Sequence, residues 1–256
     1  MNLLLLTTLD RIGSEDSNRY VVRGERASHV RDVLRSTVGQ SIRVGLLDGP
    51  LGVATVVSLS DDALELSCFF DSGRPDPPLF DLVVAVPRPK SLRKLLPDVV
   101  ALGVGRIVLL RTWRVQTQYL STRVLDPLQY RPLLHEGLMQ GRRTIEPNVS
   151  IEPLFKPFVE DRLDCVFAAS DVKLVAHVAA DLSIADVAVG PRDRVVGVIG
   201  PEGGLLPYEV MMFEAHGFRA VRLGPSPLRV ETACVALMAQ IELLREQSVR
   251  RLTASS

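Results

Sequence analysis

The stretch Val195-Val196-Gly197-Val198-Ile199-Gly200-Pro201-Glu202-Gly203-Gly204 decides the fold. Its first half is a short apolar, β-branched run that reads as a strand. Its second half sets three glycines and a proline in five residues, which gives a tight bend with exposed backbone N–H groups. In parallel α/β sheets, ligands bind at the carboxyl ends of strands, where such turns let the backbone come close to them. Taken alone, the bend is equally a plain strand-to-helix turn.

On either side of this stretch, the chain from Asp76 onward alternates apolar strands with helices. Leu82–Val86, Arg106–Leu110, Cys165–Ala168 and Ala220–Leu223 read as further strands. Helices are expected over Lys94–Gly103, closed by the glycine, from Asp126-Pro127 to Gly141, after Pro207, and from Glu231 to Glu246. That alternation predicts a parallel sheet covered by helices. The first seventy residues are different: one helix near Ser28–Arg35, with Val30, Val33 and Leu34 at helical spacing, and short strands at Tyr20–Val22, Ser41–Leu46, Gly52–Leu59 and Ala63–Cys68. Tight turns at Asp48-Gly49 and Asp61-Asp62 join the last three, which suggests a small barrel. Between the two patterns lies Gly73-Arg74-Pro75-Asp76-Pro77-Pro78, whose prolines can continue neither a helix nor a central strand. The expected division is therefore residues 1–73 and 74–256.

Lys plus Arg and Asp plus Glu both total 30, so the chain is not globally basic. Between Asp76 and Ser150, however, eleven Lys and Arg face six Asp and Glu, which permits a phosphate-contacting patch. The three cysteines are widely separated and the four histidines scattered, which fits a reducing cytoplasm and gives no support to a metal site. The opening Met1–Leu6 reads as a first strand rather than a signal peptide, because it lacks a positive start and runs at once into Asp10 and Arg11. No apolar run approaches the roughly 18 residues that a membrane span needs. The glycine turn lacks the Gly-Lys-Ser/Thr ending of a phosphate loop, and no Gly-x-Gly-x-x-Gly occurs, which weakens a dehydrogenase reading.

A second loop follows the next expected strand: Gly224-Pro225-Ser226-Pro227-Leu228-Arg229-Val230-Glu231-Thr232-Ala233. Glu231 and Thr232 suit a helix start, where acids and hydroxyls satisfy free N–H groups. Together, Ile199-Gly200-Pro201-Glu202-Gly203-Gly204, Glu209, Leu223-Gly224-Pro225, Leu228-Arg229 and Glu231-Thr232-Ala233 resemble the 16S ribosomal RNA uracil-N3 methyltransferase family of the SPOUT superfamily. Leu102-Gly103-Val104 and Gln140-Gly141-Arg142 extend the resemblance upstream. The chain departs from the family pattern at Ser226-Pro227 and in the basic segment Pro87–Lys94.

The resemblance implies an α/β fold with a C-terminal trefoil-knotted, parallel-sheet methyltransferase domain, preceded by a small PUA-like β-barrel that binds RNA. It also implies a homodimer and an S-adenosylmethionine cofactor. The cofactor is expected at Ala168, Ile199, Gly200, Pro201, Glu202, Gly203, Leu223, Gly224, Pro225, Leu228 and Thr232. The implied substrate is uracil 1498 of 16S rRNA in the small ribosomal subunit, methylated at N3. Arg229 is the expected catalytic group, stabilising the uridine anion or holding its phosphate, with Glu231 orienting it. Glu202 either faces the sulfonium or fixes the loop. Arg88, Lys90, Arg93, Lys94, Arg142 and Arg143 are the expected RNA contacts, or else form solvated faces. No residue stands out as the general base. Methylation of a ribose 2′-oxygen or of another base, and a non-catalytic RNA-binding or ribosome-assembly role, are the alternatives; the ending Leu228-Arg229-x-Glu231-Thr232-Ala233 favours base methylation over the ribose.

Overall fold

The computed structural model describes residues 2–14, 17–32, 37–71, 73 and 75–254. Val33 and Leu34 of the first expected helix, and Arg74 of the expected linker, lie outside them. The chain divides into two compact units, one of residues 1–77 with 135–146, the other of residues 78–134 with 147–256.

In the first unit, strands β1 (Leu4–Leu6), β2 (Arg19–Arg23), β3 (Ser41–Leu46), β4 (Leu51–Leu59) and β5 (Ala63–Phe70) form one sheet, ordered β1-β3-β4-β5-β2. Only the β1–β3 pair is parallel. Helix α1 (Glu25–Asp32) follows β2. The period-two alternation of β4 and β5 turns Ala54, Val56, Leu64, Leu66 and Cys68 onto a core shared with Leu4, Leu6, Tyr20, Val22 and Val44. Asp48 takes a left-handed conformation (φ 56°) in the turn after β3, as the Asp-Gly pair anticipates. That turn is fastened to residues 144–146: Asp48 N–H donates to Thr144 O (2.8 Å), the Thr144 hydroxyl to Gly49 O (2.6 Å), and Glu146 N–H to Asp48 Oδ1 (2.9 Å).

The second unit is built on a six-stranded parallel sheet. Its strands are β6 (Phe80–Ala85), β7 (Val104–Leu110), β8 (Asn148–Glu152), β9 (Val172–Ala176), β10 (Val195–Ile199) and β11 (Arg219–Val221). Their order is β11-β9-β10-β6-β7-β8, and every pair is parallel. Helices α2 (Pro89–Leu102), α3 (Pro127–Gly141), α4 (Phe155–Asp161), α5 (Leu163–Val166), α6 (Pro207–Ala215) and α7 (Val230–Ala254) connect and follow them; α3 begins in this unit and ends in the first. β6 and β10 are buried along their whole length, as central strands covered on both faces must be.

Alternation along β10 separates the two faces. Val196 and Val198 join a cluster with Phe158 and Leu163 of the α4–α5 segment and Phe213 of α6. Gly197 faces the other way: a Cβ there would stand 2.4 Å from Leu237 Cδ2 of α7. The missing side chain is what lets α7 lie this close to the sheet. α2 opens with Pro89 in its first turn and closes on Gly103 in the left-handed region (φ 94°). Asp81, buried in β6, is held by Arg194 through two hydrogen bonds of 2.9 Å, so its charge is paired in a fork geometry.

One expected strand is corrected. Cys165–Ala168 is not a strand: α5 and the turn after it occupy these residues, and the strand is β9, several residues later. A four-residue apolar run fits one turn of a buried helix as well as a strand. Among the described residues no helix is long and apolar enough to cross a membrane.

Candidate functional site

Because the six strands are parallel, their carboxyl ends share one edge of the sheet. Three adjacent strands, β10, β9 and β11, end in loops that together enclose a pocket of about 250 Å³. Ala176-His177-Val178 follow β9, Ile199 to Leu205 follow β10, and Leu223, Gly224 and Ser226 to Leu228 follow β11. Val230 and Ala233 of the first turn of α7 close it.

The loop after β10 is a tight turn in which Gly204 N–H donates to Pro201 O (2.8 Å). Gly204 sits at φ 73°, where a side chain would be strained. A Cβ on Gly200 would reach within 2.9 Å of Leu205 Cγ, so the bend is closed tightly on itself. Glu202 is exposed at its tip and accepts a long hydrogen bond (3.4 Å) from the Arg88 backbone N–H, with Arg88 Nε 3.9 Å away. Exposed pairs of this kind contribute little to stability.

The turn is braced by two residues that follow β7. Arg114 donates through Nη1 to Gly203 O. Glu209, fully buried in α6, accepts from Trp113 N–H (2.7 Å) with one oxygen and from Leu206 N–H (2.7 Å) with the other. Burial first, and then the Glu209 carboxylate, push the neighbouring Tyr208 hydroxyl above its ordinary pKa. On the far wall, Gln240 of α7 donates to Leu223 O (2.9 Å), and His177 N–H donates to Val221 O (2.9 Å).

Ile199, Gly200, Pro201, Glu202, Gly203, Leu223, Gly224 and Leu228, all expected at a cofactor, line this one pocket. Pro225 and Thr232 are exposed and outside its lining. Helical phase accounts for Thr232, since Val230 and Ala233 take the inward positions of the first turn of α7. Ala168 is corrected: it is exposed in the turn before β9, at the strand's amino end, opposite the edge that carries the pocket. Ala176-His177-Val178 hold the place expected for it.

Arg229 is exposed, and among the described residues its guanidinium makes no hydrogen bond or ion pair. No ion pair joins it to Glu231, so the expected orienting contact is absent from this structure. Glu231 instead adds, after burial, to the forces raising the pKa of the buried Cys234 thiol. Lys90, Arg93 and Lys94 lie at i, i+3 and i+4 on the solvent face of α2, opposite buried Leu92, Leu95 and Leu96. Arg142, at φ 54°, and Arg143 are exposed in the first unit.

The donor set fits S-adenosylmethionine. Glu202 is the one carboxylate on the lining, which has no Lys or Arg to neutralise a phosphate. Apolar walls with glycine backbone suit a nucleoside, and the lone carboxylate suits a sulfonium.

An RNA methyltransferase domain model matches residues 75–242, and the chain belongs to that family. It is 29% identical over 221 residues to the ribosomal RNA small subunit methyltransferase E of Treponema pallidum, covering 86% of this chain and 83% of that one. The enzyme of the same name from Mycobacterium tuberculosis is 27% identical over 226 residues, covering 88% and 86%. Among solved structures, the ribosomal RNA small subunit methyltransferase E of Neisseria gonorrhoeae, bound to S-adenosyl methionine, shares the fold. Its TM-score is 0.74 at 21% identity, over 95% of this chain and 98% of that one.

Proposed function

We propose that this protein transfers a methyl group from S-adenosylmethionine to N3 of a uridine in 16S rRNA of the small ribosomal subunit, with uracil 1498 the expected target. The observation that carries this reading is the closing of the Gly200–Gly204 turn and the Leu223–Leu228 loop onto one pocket, in a chain of the RNA methyltransferase family. The cofactor supplies an electrophilic methyl on a positive sulfur. Glycine backbone and the apolar side chains of Ile199, Leu205, Leu223 and Leu228 hold it, and Glu202 lies where a carboxylate can face the sulfonium.

Uracil N3 carries a proton near neutral pH, and that proton must leave as the N–CH3 bond forms. Arg229 stands between the pocket-lining residues Leu228 and Val230 with its guanidinium exposed and unpaired among the described residues, placed to stabilise the developing anion or grip the nucleotide's phosphate. Glu231 acts beside it through its charge rather than through a contact. Arg88, Lys90, Arg93 and Lys94, together with Arg142 and Arg143 of the first unit, serve the RNA backbone. The first unit, expected over residues 1–73, is a PUA-like barrel; an antiparallel bridge between Arg11 and Tyr20, joining the segment after β1 to β2, supports a sheet that curls toward closure. The second, expected over 74–256, is a trefoil-knotted SPOUT domain acting as a cytoplasmic homodimer. The crossover that sets β10 between β9 and β6 supports the knot.

Incubation of the purified protein with methyl-labelled S-adenosylmethionine and unmethylated small subunits tests this. Label in the 16S rRNA is expected; label-free RNA at stoichiometric enzyme contradicts it.

A further inference from the structure

Trp113 is the chain's one tryptophan, and 75% of it is exposed. Tryptophan is a residue that folded chains ordinarily cover on most of its surface. Thr112 before it and Val115 two residues after it are buried. The backbone around it is fixed on every side. Arg111 N–H donates to Glu152 O (2.8 Å), Trp113 N–H to buried Glu209 (2.7 Å), and Val115 N–H to Thr112 O (3.1 Å). The indole therefore projects from a rigid support, and ordering it costs little at the moment of binding.

Its position gives this exposure a use. Trp113 follows β7 on the sheet edge that carries the pocket. The next residue, Arg114, donates to Gly203 O on the pocket wall, and Glu209 links Trp113 to Leu206 at the end of the same turn. Arg114 is exposed beside it, and Arg111 is half-buried. An exposed indole with an arginine near it on each side in sequence, Arg111 bonded to the Thr117 hydroxyl (3.0 Å) and Arg114 to the pocket-wall carbonyl of Gly203, offers what an unstacked nucleobase needs: a π-face to stack on and positive charge for its phosphates. Chemistry at a ring nitrogen requires the base to leave its own stack, and a platform at the rim offsets that loss.

We infer that Trp113 is a positioning residue whose indole stacks on an unstacked base of the RNA substrate at the pocket mouth. The inference rests on the reading of the pocket as an RNA methyltransferase site.

Two measurements on the full chain decide it. In methyl transfer to unmethylated small subunits, Trp113→Ala should raise KM for the RNA roughly 10-fold, leave the calorimetric Kd for S-adenosylmethionine unchanged, and be largely rescued by Trp113→Phe. In the unsubstituted protein, the single-tryptophan emission should be quenched by a short oligouridylate at concentrations where a mobility shift shows it bound. An RNA KM within twofold of the unsubstituted value for Trp113→Ala, or emission unmoved at full RNA occupancy, overturns the inference. So does an emission shift on concentrating the protein alone, which would make a second copy the occupant. Absence of transfer by the unsubstituted protein is a separate result: it removes the methyltransferase reading, and the stacking role with it.

Discussion

Glu209 accepts the Trp113 backbone N–H at 2.7 Å from a site with no exposure to solvent, joining residues 96 positions apart in the chain. Its second oxygen takes the Leu206 N–H at the same distance. One buried carboxylate thus fixes the loop after β7 to the start of α6, immediately beyond the glycine turn of the pocket. Glu209→Ala would leave two N–H groups without their acceptor, at about 1–3 kcal/mol each. A thermal midpoint lowered by several degrees and S-adenosylmethionine affinity weakened at least several-fold are expected, read by calorimetry. Glu209→Gln keeps one acceptor oxygen and should fall between the two.

Arg229 has the opposite character, exposed and unpaired among the described residues. Arg229→Ala should therefore cost almost nothing in stability. Its effect should appear in catalysis, as a loss on the order of 10²–10³-fold in methyl transfer, the range for removing one stabiliser of developing charge. Titration calorimetry should give an unchanged Kd for S-adenosylmethionine. Arg229→Lys keeps the charge without the planar fork, and partial activity is expected.

The three cysteines should separate cleanly under a thiol reagent at pH 8. Cys165 is exposed. Burial pushes the Cys68 thiol up to about 12, and burial with help from Glu231 pushes Cys234 up as well. One thiol should react promptly in the folded protein and all three in denaturant. Peptide mapping should place the fast label on Cys165.

Acid should weaken the first unit through Asp10. Burial pushes its carboxyl up, but the hydrogen bonds from Arg26 and Thr7, with the Arg26 charge, outweigh that and hold it below its ordinary value of 3.8. A carboxylate whose pKa falls on folding stabilises the fold at pH values above its unfolded pKa. That contribution is lost as the pH drops through the folded value. With Arg26 partly exposed, the effect should be about 1 kcal/mol or less. Comparing urea midpoints at pH 5 and pH 3 should show a smaller drop for Asp10→Asn than for the unsubstituted chain.

Much of the pocket was legible in the sequence because its walls are backbone. Glycine and proline at Gly200-Pro201 and Gly224-Pro225 announce turns whatever packs around them, and the apolar run before Gly200 announces the strand. Gly103 and Pro207 likewise marked helix boundaries that the structure keeps. The third wall was misplaced because Cys165–Ala168 and Val172–Ala176 are both short apolar runs, and periodicity does not separate a turn of helix from a strand at that length. Arg114 and Trp113 were missed for a different reason. Their roles come from Gly203 and Glu209, 89 and 96 residues away, and no local pattern carries such a contact. The same holds for residues 135–146, which group with the first unit through bonds such as Thr144 to Gly49, 95 residues apart.

Which atom of which nucleoside carries the methyl is the decisive observable. 16S rRNA from small subunits treated with the purified protein and S-adenosylmethionine, digested to nucleosides and resolved by mass spectrometry, should contain one N3-methyluridine per subunit that is missing without the protein. A methyl on a ribose 2′-oxygen or on another base, or RNA left unchanged, would contradict N3 methylation of uridine by this protein.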